Sequence, residues 1–130
     1  MNAKKILVSA VSLVTVAVIV TVSCNTELER YLDGRGQARR DLARGEFNVA
    51  IADGSNMPAF YEFNKLLYTR YHIGCTGFSL PANPRAAEAW VRGYNAVAEP
   101  RITSKFGDQV LSRTMSEAEE LHKTMTDRNQ

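Results

Sequence analysis

The order strand, helix, strand within residues 47–80 constrains the fold of this chain more than any other feature of its sequence. Apolar side chains alternate along Phe47–Ala52, and the minor face of that segment carries two alanines, as in a strand that is covered on both faces. A helical pattern of aromatic and aliphatic residues fills Pro58–Tyr71, and Ile73–Leu80 follows as a glycine-interrupted second strand. This order predicts a parallel βαβ unit with a right-handed crossover.

A helical pattern also precedes the first strand. A capping box predicts a helix from Glu27, and two glycines, Gly34 and Gly36, are expected to interrupt it. The pattern resumes over Gln37–Arg44, and Gly45 stands where a left-handed C-cap glycine belongs. Four arginines at helical spacing are expected on the outward face, either solvated or against anionic lipid. They are Arg35, Arg39, Arg40 and Arg44.

Two more helices are predicted after the second strand. Asn83 is expected to cap the first of them, and Pro100 to end or kink it. Ser116 and Glu119 form a capping box that predicts a last helix over Glu117–Asp127. The predicted fold is therefore a small helix-rich α/β domain with a minimal parallel sheet. Because two strands alone are marginally stable, a homodimer that adds strands at a sheet edge is also considered.

The N-terminal sequence has the charge and hydropathy pattern expected of a targeting signal. Met1–Lys5 contains two lysines, and the next 17 residues, Ile6–Val22, contain no charged side chain. As a helix this run would be about 25 Å long, which is short for a membrane span of about 30 Å. Residues 1–23 are therefore expected to be a signal peptide or a membrane anchor, followed by a single domain of residues 24–130.

The end of this run resembles the lipobox of bacterial lipoproteins, through Thr21-Val22-Ser23-Cys24, with Thr21 where Leu is usual. The resemblance implies cleavage before Cys24 and a diacylglycerol on its thiol, which would anchor the domain to a membrane. An uncleaved anchor helix and ordinary cleavage near Ser23 are the alternatives. We expect a membrane-anchored extracytoplasmic domain, in the periplasm or at the cell surface.

Charge and cysteine usage exclude several classes of function. Lys and Arg number 16 against 14 Asp and Glu, so there is no strongly basic surface and we expect no nucleic-acid partner. Two cysteines and two histidines offer no zinc cluster, and no motif indicates a metal or a cofactor. If Cys24 is lipidated, Cys75 has no internal disulfide partner, and it is then either a buried small hydrophobe or an exposed thiol.

A ligand site is conceivable at the carboxyl ends of the two strands. Ligands of parallel βα units bind there, close to helix N-termini. Ser55 and Asn56 could donate to a carboxylate or phosphate, and Arg85 could pair with it. Asp53 could accept from a hydroxyl or amine of the same ligand. Capping alone would also account for polar residues in these two loops. They are Asp53, Ser55, Asn56, Asn83 and Arg85.

No catalytic constellation is evident, because nothing places His72 or His122 beside a nucleophile. Asn95, a poor helix former within a predicted helix, is expected to bond to the loop before that helix. The sequence thus favours a non-enzymatic binding or scaffolding domain that meets a protein partner or a second copy. The alternative is an anion sensor or a small enzyme that uses the two loops.

Several short fragments together resemble a group of small uncharacterised bacterial proteins of the kind found in planctomycetes. The resemblance covers roughly residues 38–111 and implies a small α/β domain without supplying an activity. Gly74-Cys75 lies near the start of the second strand, whereas members often carry Gly-Cys near its end. The fragments are Ala38-Arg39-Arg40-Asp41-Leu42 with Gly45, Leu66-Leu67 with Arg70-Tyr71, Gly93-Tyr94-Asn95, and Phe106-Gly107.

Overall fold

The computed structural model describes residues 26–52, 57–77 and 83–129. Within them, helices surround a two-stranded parallel sheet, which confirms the helix-rich α/β class. The proposed signal or anchor, residues 1–23, lies outside the described residues. The elements are α1 (residues 26–43), β1 (Phe47–Ile51), α2 (Phe60–Tyr71), β2 (Ile73–Gly77), α3 (Pro84–Phe106) and α4 (Val110–Arg128).

The sheet follows the predicted pairing. β1 and β2 are parallel, in a register that runs from Phe47 opposite Ile73 to Ile51 opposite Gly77. The predicted second strand extended to residue 80, and residues 78–80 lie outside the described part of the chain. Val49 is buried on β1 and Ile73 is fully buried on β2, so both strands contribute to the core.

The predicted interruption of α1 is wrong, because the helix is continuous through both glycines. Gly34 faces α3 so closely that a Cβ atom there would overlap the Trp90 carbonyl oxygen. The converse holds at Gly93 of α3, where a Cβ atom would overlap the Tyr31 carbonyl oxygen. The two glycines therefore allow the backbones of α1 and α3 to cross in direct contact, and this packing outweighs their poor helix propensity.

The end of α1 is as predicted. Gly45 has a φ of 78°, the left-handed conformation of a C-cap glycine. Its N–H donates to the Leu42 carbonyl at 3.0 Å, and the Glu46 N–H donates to the Asp41 carbonyl at 2.9 Å. These two bonds form a Schellman motif, which turns the chain from α1 into β1.

The core lies between the sheet and the inner faces of the helices. In α2, Phe63 and Leu67 of the predicted aromatic stripe are buried, whereas Phe60 and Tyr71 are partly buried. The helix begins two residues after Pro58, which lies in the preceding turn. The largest fully buried side chains are Tyr94, Leu67, Ile73, Ile102 and Thr114.

The boundary between the last two helices differs from the prediction. Pro100 does not end α3, because buried residues on both sides of it, Ala98 and Ile102, keep that helix packed against the core. The chain turns instead at Gly107, and α4 starts at Val110. The predicted capping box is therefore wrong: Ser116 lies within α4, where its hydroxyl donates to the Ser112 carbonyl at 3.1 Å.

Candidate functional site

The predicted anion site is only partly within the described residues. Asp53, Ser55 and Asn56 belong to residues 53–56, which lie outside them, as does the proposed lipidation residue Cys24. The pairing of the two loops at the end of the sheet consequently stays a prediction. Asn83 and Arg85 are the members of the set that can be placed.

Asn83 is the N-cap of α3. Its side-chain oxygen accepts from the Ala86 N–H at 3.1 Å. That bond satisfies one of the unpaired donors at the start of the helix, as the capping interpretation expects. The same oxygen is thereby engaged within the chain and less free to contact a ligand.

Arg85 is exposed in the first turn of α3. It lines an open cleft of about 270 Å³ together with Glu27, Glu88 and Arg92. Two carboxylates share this cleft with two guanidinium groups, so an anion entering it would meet repulsion as well as attraction. The surroundings of Arg85 therefore do not favour an anion.

A buried polar group with several partners is instead the carboxylate of Asp41, which is only 5% exposed. Its Oδ2 accepts from the Tyr94 hydroxyl at 2.5 Å. Its Oδ1 accepts from Gln37 Nε2 at 2.7 Å and from Arg44 Nη2 at 2.6 Å. We call Asp41 and these three partners the Asp41 cluster. No local sequence pattern predicts this cluster, since Asp41 and Tyr94 are separated by 53 positions.

Tyr94 is the buried donor of this cluster. Burial raises the pKa of its hydroxyl, and the hydrogen bond to the Asp41 carboxylate raises it further, while a side-chain hydrogen bond with Asn48 acts in the opposite direction. Its ring stacks on Trp90 with centroids 5.2 Å apart. Tyr94 thus remains a protonated donor that ties the middle of α3 to the last turn of α1.

The neighbouring residue on α3 holds β1. Asn95 Oδ1 accepts from the Ala50 N–H at 2.8 Å, and Asn95 Nδ2 donates to the Ala50 carbonyl at 2.9 Å. These bonds go to β1, and residues 78–82 of the loop before α3 lie outside the described residues, so a bond from Asn95 to that loop stays a prediction. The Asn95 amide acts like a short piece of a third strand, because it satisfies a donor and an acceptor at the strand edge.

The Asp41 cluster and the Asn95 amide hold α1, α3 and β1 together, and their polar groups are occupied by bonds within the chain. The Asp41 carboxylate receives three hydrogen bonds and Tyr94 is 1% exposed, so neither group is accessible for proton transfer. The contact between Asp41 and Tyr94 joins α1 to α3 across 53 positions, and no local sequence pattern signals it.

A second polar arrangement joins α2 to α4. Arg70 forms an ion pair with Glu117, and His122 Nδ1 lies 3.3 Å from Glu62 Oε1. A hydrogen bond from its own backbone N–H lowers the pKa of the Glu62 carboxyl, and His122 lowers it further, whereas desolvation acts in the opposite direction.

A groove of about 400 Å³ lies near this pair, between the start of α2 and the end of α4. It is lined by Met57, Pro58, Ala59, Met115, Glu119, His122, Lys123, Thr126 and Asp127.

Cys75 is a free, half-buried thiol on β2 that packs against the core. Burial raises its pKa to about 11, so the thiol is protonated at neutral pH. This state agrees with the interpretation of Cys75 as a small hydrophobe, and it is unsuited to a nucleophile.

The four arginines of α1 do not share one face, contrary to the prediction. Arg40 donates to the Gln37 side chain, and Arg44 bridges Asp41 and Glu46. Arg35 and Arg39 lie on a different side of the helix. Arg35 and Arg39 therefore lie on one side of α1, and Arg40 and Arg44 lie on another.

Two features, a membrane-spanning helix and a metal-binding cluster, are absent from residues 26–52, 57–77 and 83–129. No helix there has the length and apolarity needed to cross a membrane. No group of three or more His, Cys, Asp or Glu side chains in the same residues is arranged to hold a metal ion. Comparisons of the chain with protein-family models, with curated proteins and with solved structures likewise give no significant match.

Proposed function

We propose that this protein is a membrane-tethered extracytoplasmic domain that binds or scaffolds another protein without catalysing a reaction. The tether is a lipid on Cys24, and the domain lies in the periplasm or at the cell surface. The carrying observation is the Ile6–Val22 run that ends at the lipobox-like Thr21-Val22-Ser23-Cys24. A diacylated cysteine anchors a soluble domain stably, where a single acyl chain would not.

A binding role is supported by the large apolar side chains that the helices expose. Tyr61 and Tyr68 of α2 are 69% and 60% exposed, and their seven-residue spacing places them on one face of that helix. Exposed tyrosines are enriched where proteins meet partners, because they combine a large apolar ring with a hydrogen-bonding tip. Leu121 and Met125 of α4 are 46% and 53% exposed.

Two groups that could have been reactive, Asp41 and Cys75, are poorly suited to catalysis, which supports a non-enzymatic role. The buried carboxylate of Asp41 is fully engaged, and the Cys75 thiol has a raised pKa. The alternative, an anion sensor or a small enzyme, depends on residues 53–56 and on Arg85, which shares its cleft with two carboxylates. We therefore keep it as the second hypothesis.

The tether is tested by metabolic labelling of the full chain with radioactive palmitate in a bacterial host. The wild-type chain and a Cys75→Ala variant should both incorporate label, and Cys24→Ala should incorporate none. Cys75→Ala is the matched control, because it removes the other thiol of the chain. Equal labelling of wild type and Cys24→Ala would refute the tether.

The binding role is tested by cross-linking the full chain in native membranes. We expect a discrete cross-linked partner, or a second copy of the chain, that is lost when Tyr61 and Tyr68 are both replaced by Ser. The matched control replaces Arg101 and Arg113, which are exposed on α3 and α4, by Gln. A tyrosine double variant that keeps every cross-link would contradict a binding surface on α2.

A further inference from the structure

One side of α1 carries an apolar and basic row of side chains. Leu28 and Leu32 are 57% and 55% exposed, and Arg35 and Arg39 follow them along the helix. At 3.6 residues per turn these four positions fall within about 60° of the helix circumference. We call them the α1 stripe.

The charge of the α1 stripe is uncompensated. Among the described residues, neither Arg35 nor Arg39 has a carboxylate within ion-pair distance. Arg35 instead lies over the Tyr31 ring at 5.7 Å and donates to its hydroxyl at 3.3 Å. Arg40, in contrast, donates to the Gln37 side chain, and Arg44 forms ion pairs with Asp41 and Glu46. The stripe therefore offers apolar contact at one end and free positive charge at the other.

The stripe also begins next to the proposed tether. Leu28 is four residues from Cys24, so the two Cα atoms are at most about 14 Å apart in any conformation of the chain. From Leu28 to Arg39 the helix extends about 16 Å. A lipid on Cys24 would hold the whole stripe within reach of the bilayer surface.

We propose that the α1 stripe docks on the surface of a bilayer that contains anionic lipids. Leu28 and Leu32 enter the interfacial region, and Arg35 and Arg39 contact lipid phosphates. The inference rests on the proposed tether at Cys24, because two leucines and two arginines alone form a small surface. The tether makes docking an intramolecular event, so that weak contacts suffice.

Docking in this way would orient the domain. Gly34, which contacts α3, lies about 130° around α1 from the centre of the stripe. The crossing of α1 and α3 is thus on the far side from the bilayer, and α1 lies along the membrane plane. The alternative occupant of the stripe is a protein, which the experiment must distinguish from lipid.

The experiment places a bimane fluorophore on the stripe of the full, lipidated chain. In a Cys75→Ala background, Leu32→Cys is labelled, and Tyr68→Cys of α2 serves as the comparison position. The chain is reconstituted in vesicles that contain no other protein, made of phosphatidylcholine with or without about 30 mol% of the anionic lipid phosphatidylglycerol. Quenching by spin-labelled lipid is then measured. We expect quenching at position 32 in the anionic vesicles, less in phosphatidylcholine alone, and little at position 68 in either.

Charge variants test the role of the arginines. Arg35→Gln with Arg39→Gln should lower the ratio of docked to undocked protein about 25-fold, since each arginine near an anionic surface contributes a factor of about five. The control pair Arg101→Gln with Arg113→Gln removes the same charge elsewhere and should leave quenching unchanged. Quenching that is insensitive to the stripe arginines would overturn the proposal.

Two other outcomes separate this inference from the proposed function. If mass spectrometry finds the lipid on Cys24 and position 32 still remains in water, the stripe proposal is wrong and the tether stands. If the fluorophore is shielded in native membranes but not in protein-free vesicles, a protein covers the stripe and the proposal is again wrong. If bimane labels Cys24, its thiol is free, and both the tether and the docking proposal fail.

Discussion

Asn95 satisfies both backbone polar groups of Ala50 from a position 45 residues away, with one bond of 2.8 Å and one of 2.9 Å. In a strand the N–H and C=O of one residue point to the same edge, so those of Ala50 point away from β2. The open edge of β1 is thereby covered at Ala50, the fourth of its five residues. A second copy of the chain could add a strand at this position only by displacing Asn95.

The first prediction concerns this edge. Asn95→Ala should lower the free energy of unfolding by about 1–3 kcal/mol, because a buried strand residue would lose both its partners. Urea unfolding of the full chain in mild detergent measures the change. Gln109→Ala is the control, since that exposed side chain makes no cap bond. An Asn95→Ala variant as stable as the control would show that the amide contributes nothing to the sheet.

The second prediction compares three helical glycines, two at the crossing of α1 and α3 and one away from it. Gly34→Ala and Gly93→Ala should each cost about 1–3 kcal/mol or more, because the added methyl group would push α1 and α3 apart. Gly36→Ala should instead stabilise the protein by about 0.5–1 kcal/mol, since its Cβ would meet only the end of the Arg40 side chain at 3.5 Å. Thermal unfolding distinguishes the signs. Equal effects at all three positions would contradict the close crossing of α1 and α3.

The third prediction follows from the raised pKa of Tyr94. The unfolded chain releases this proton near pH 10, whereas the folded chain retains it, so stability is complete below that pH and falls above it. The loss attributable to Tyr94 is about 1.4 kcal/mol per pH unit. Tyr94→Phe should be less stable at neutral pH and should lose this part of the alkaline dependence. Parallel pH profiles for the two proteins would argue against a buried, protonated Tyr94.

Local chemistry accounts for what could be predicted from the sequence. Alternation predicted β1, and backbone geometry at Gly45 and the capping role of Asn83 were recognisable from neighbouring residues. Contacts between distant elements were not recognisable. Gly34 was predicted to interrupt a helix because its close contact with α3 is not visible in the sequence. Ser116 was predicted to cap a helix, but α4 begins six residues earlier, at Val110.

The same distinction applies to the candidate site. Asn83 and Arg85 were identified by residue type and position in the chain, but their surroundings depend on packing. The Asp41 cluster was missed because no local pattern connects Asp41 to Tyr94, which are 53 residues apart. Patterns of residue type therefore predicted the elements better than the interactions that hold them together.

The fourth prediction addresses the anion hypothesis. Because two carboxylates share the cleft of Arg85, inorganic phosphate should not bind there and should not raise the melting temperature of the full chain. Arg85→Ala should leave the protein folded. A bound ligand at 100 times its dissociation constant would add about 2.7 kcal/mol, which thermal unfolding detects easily. A phosphate-dependent rise that Arg85→Ala abolishes would favour the sensor or enzyme over the binding domain.

The most direct test of the tethered domain is mass spectrometry of the N-terminal peptide of the protein isolated from its membrane fraction. The account predicts a peptide that begins at Cys24 and carries a diacylglycerol adduct on that residue. A mature chain that begins near Cys24 without any adduct would contradict the account. A chain that retains Met1 and is recovered in the soluble fraction, and not in the membrane fraction, would also contradict the account.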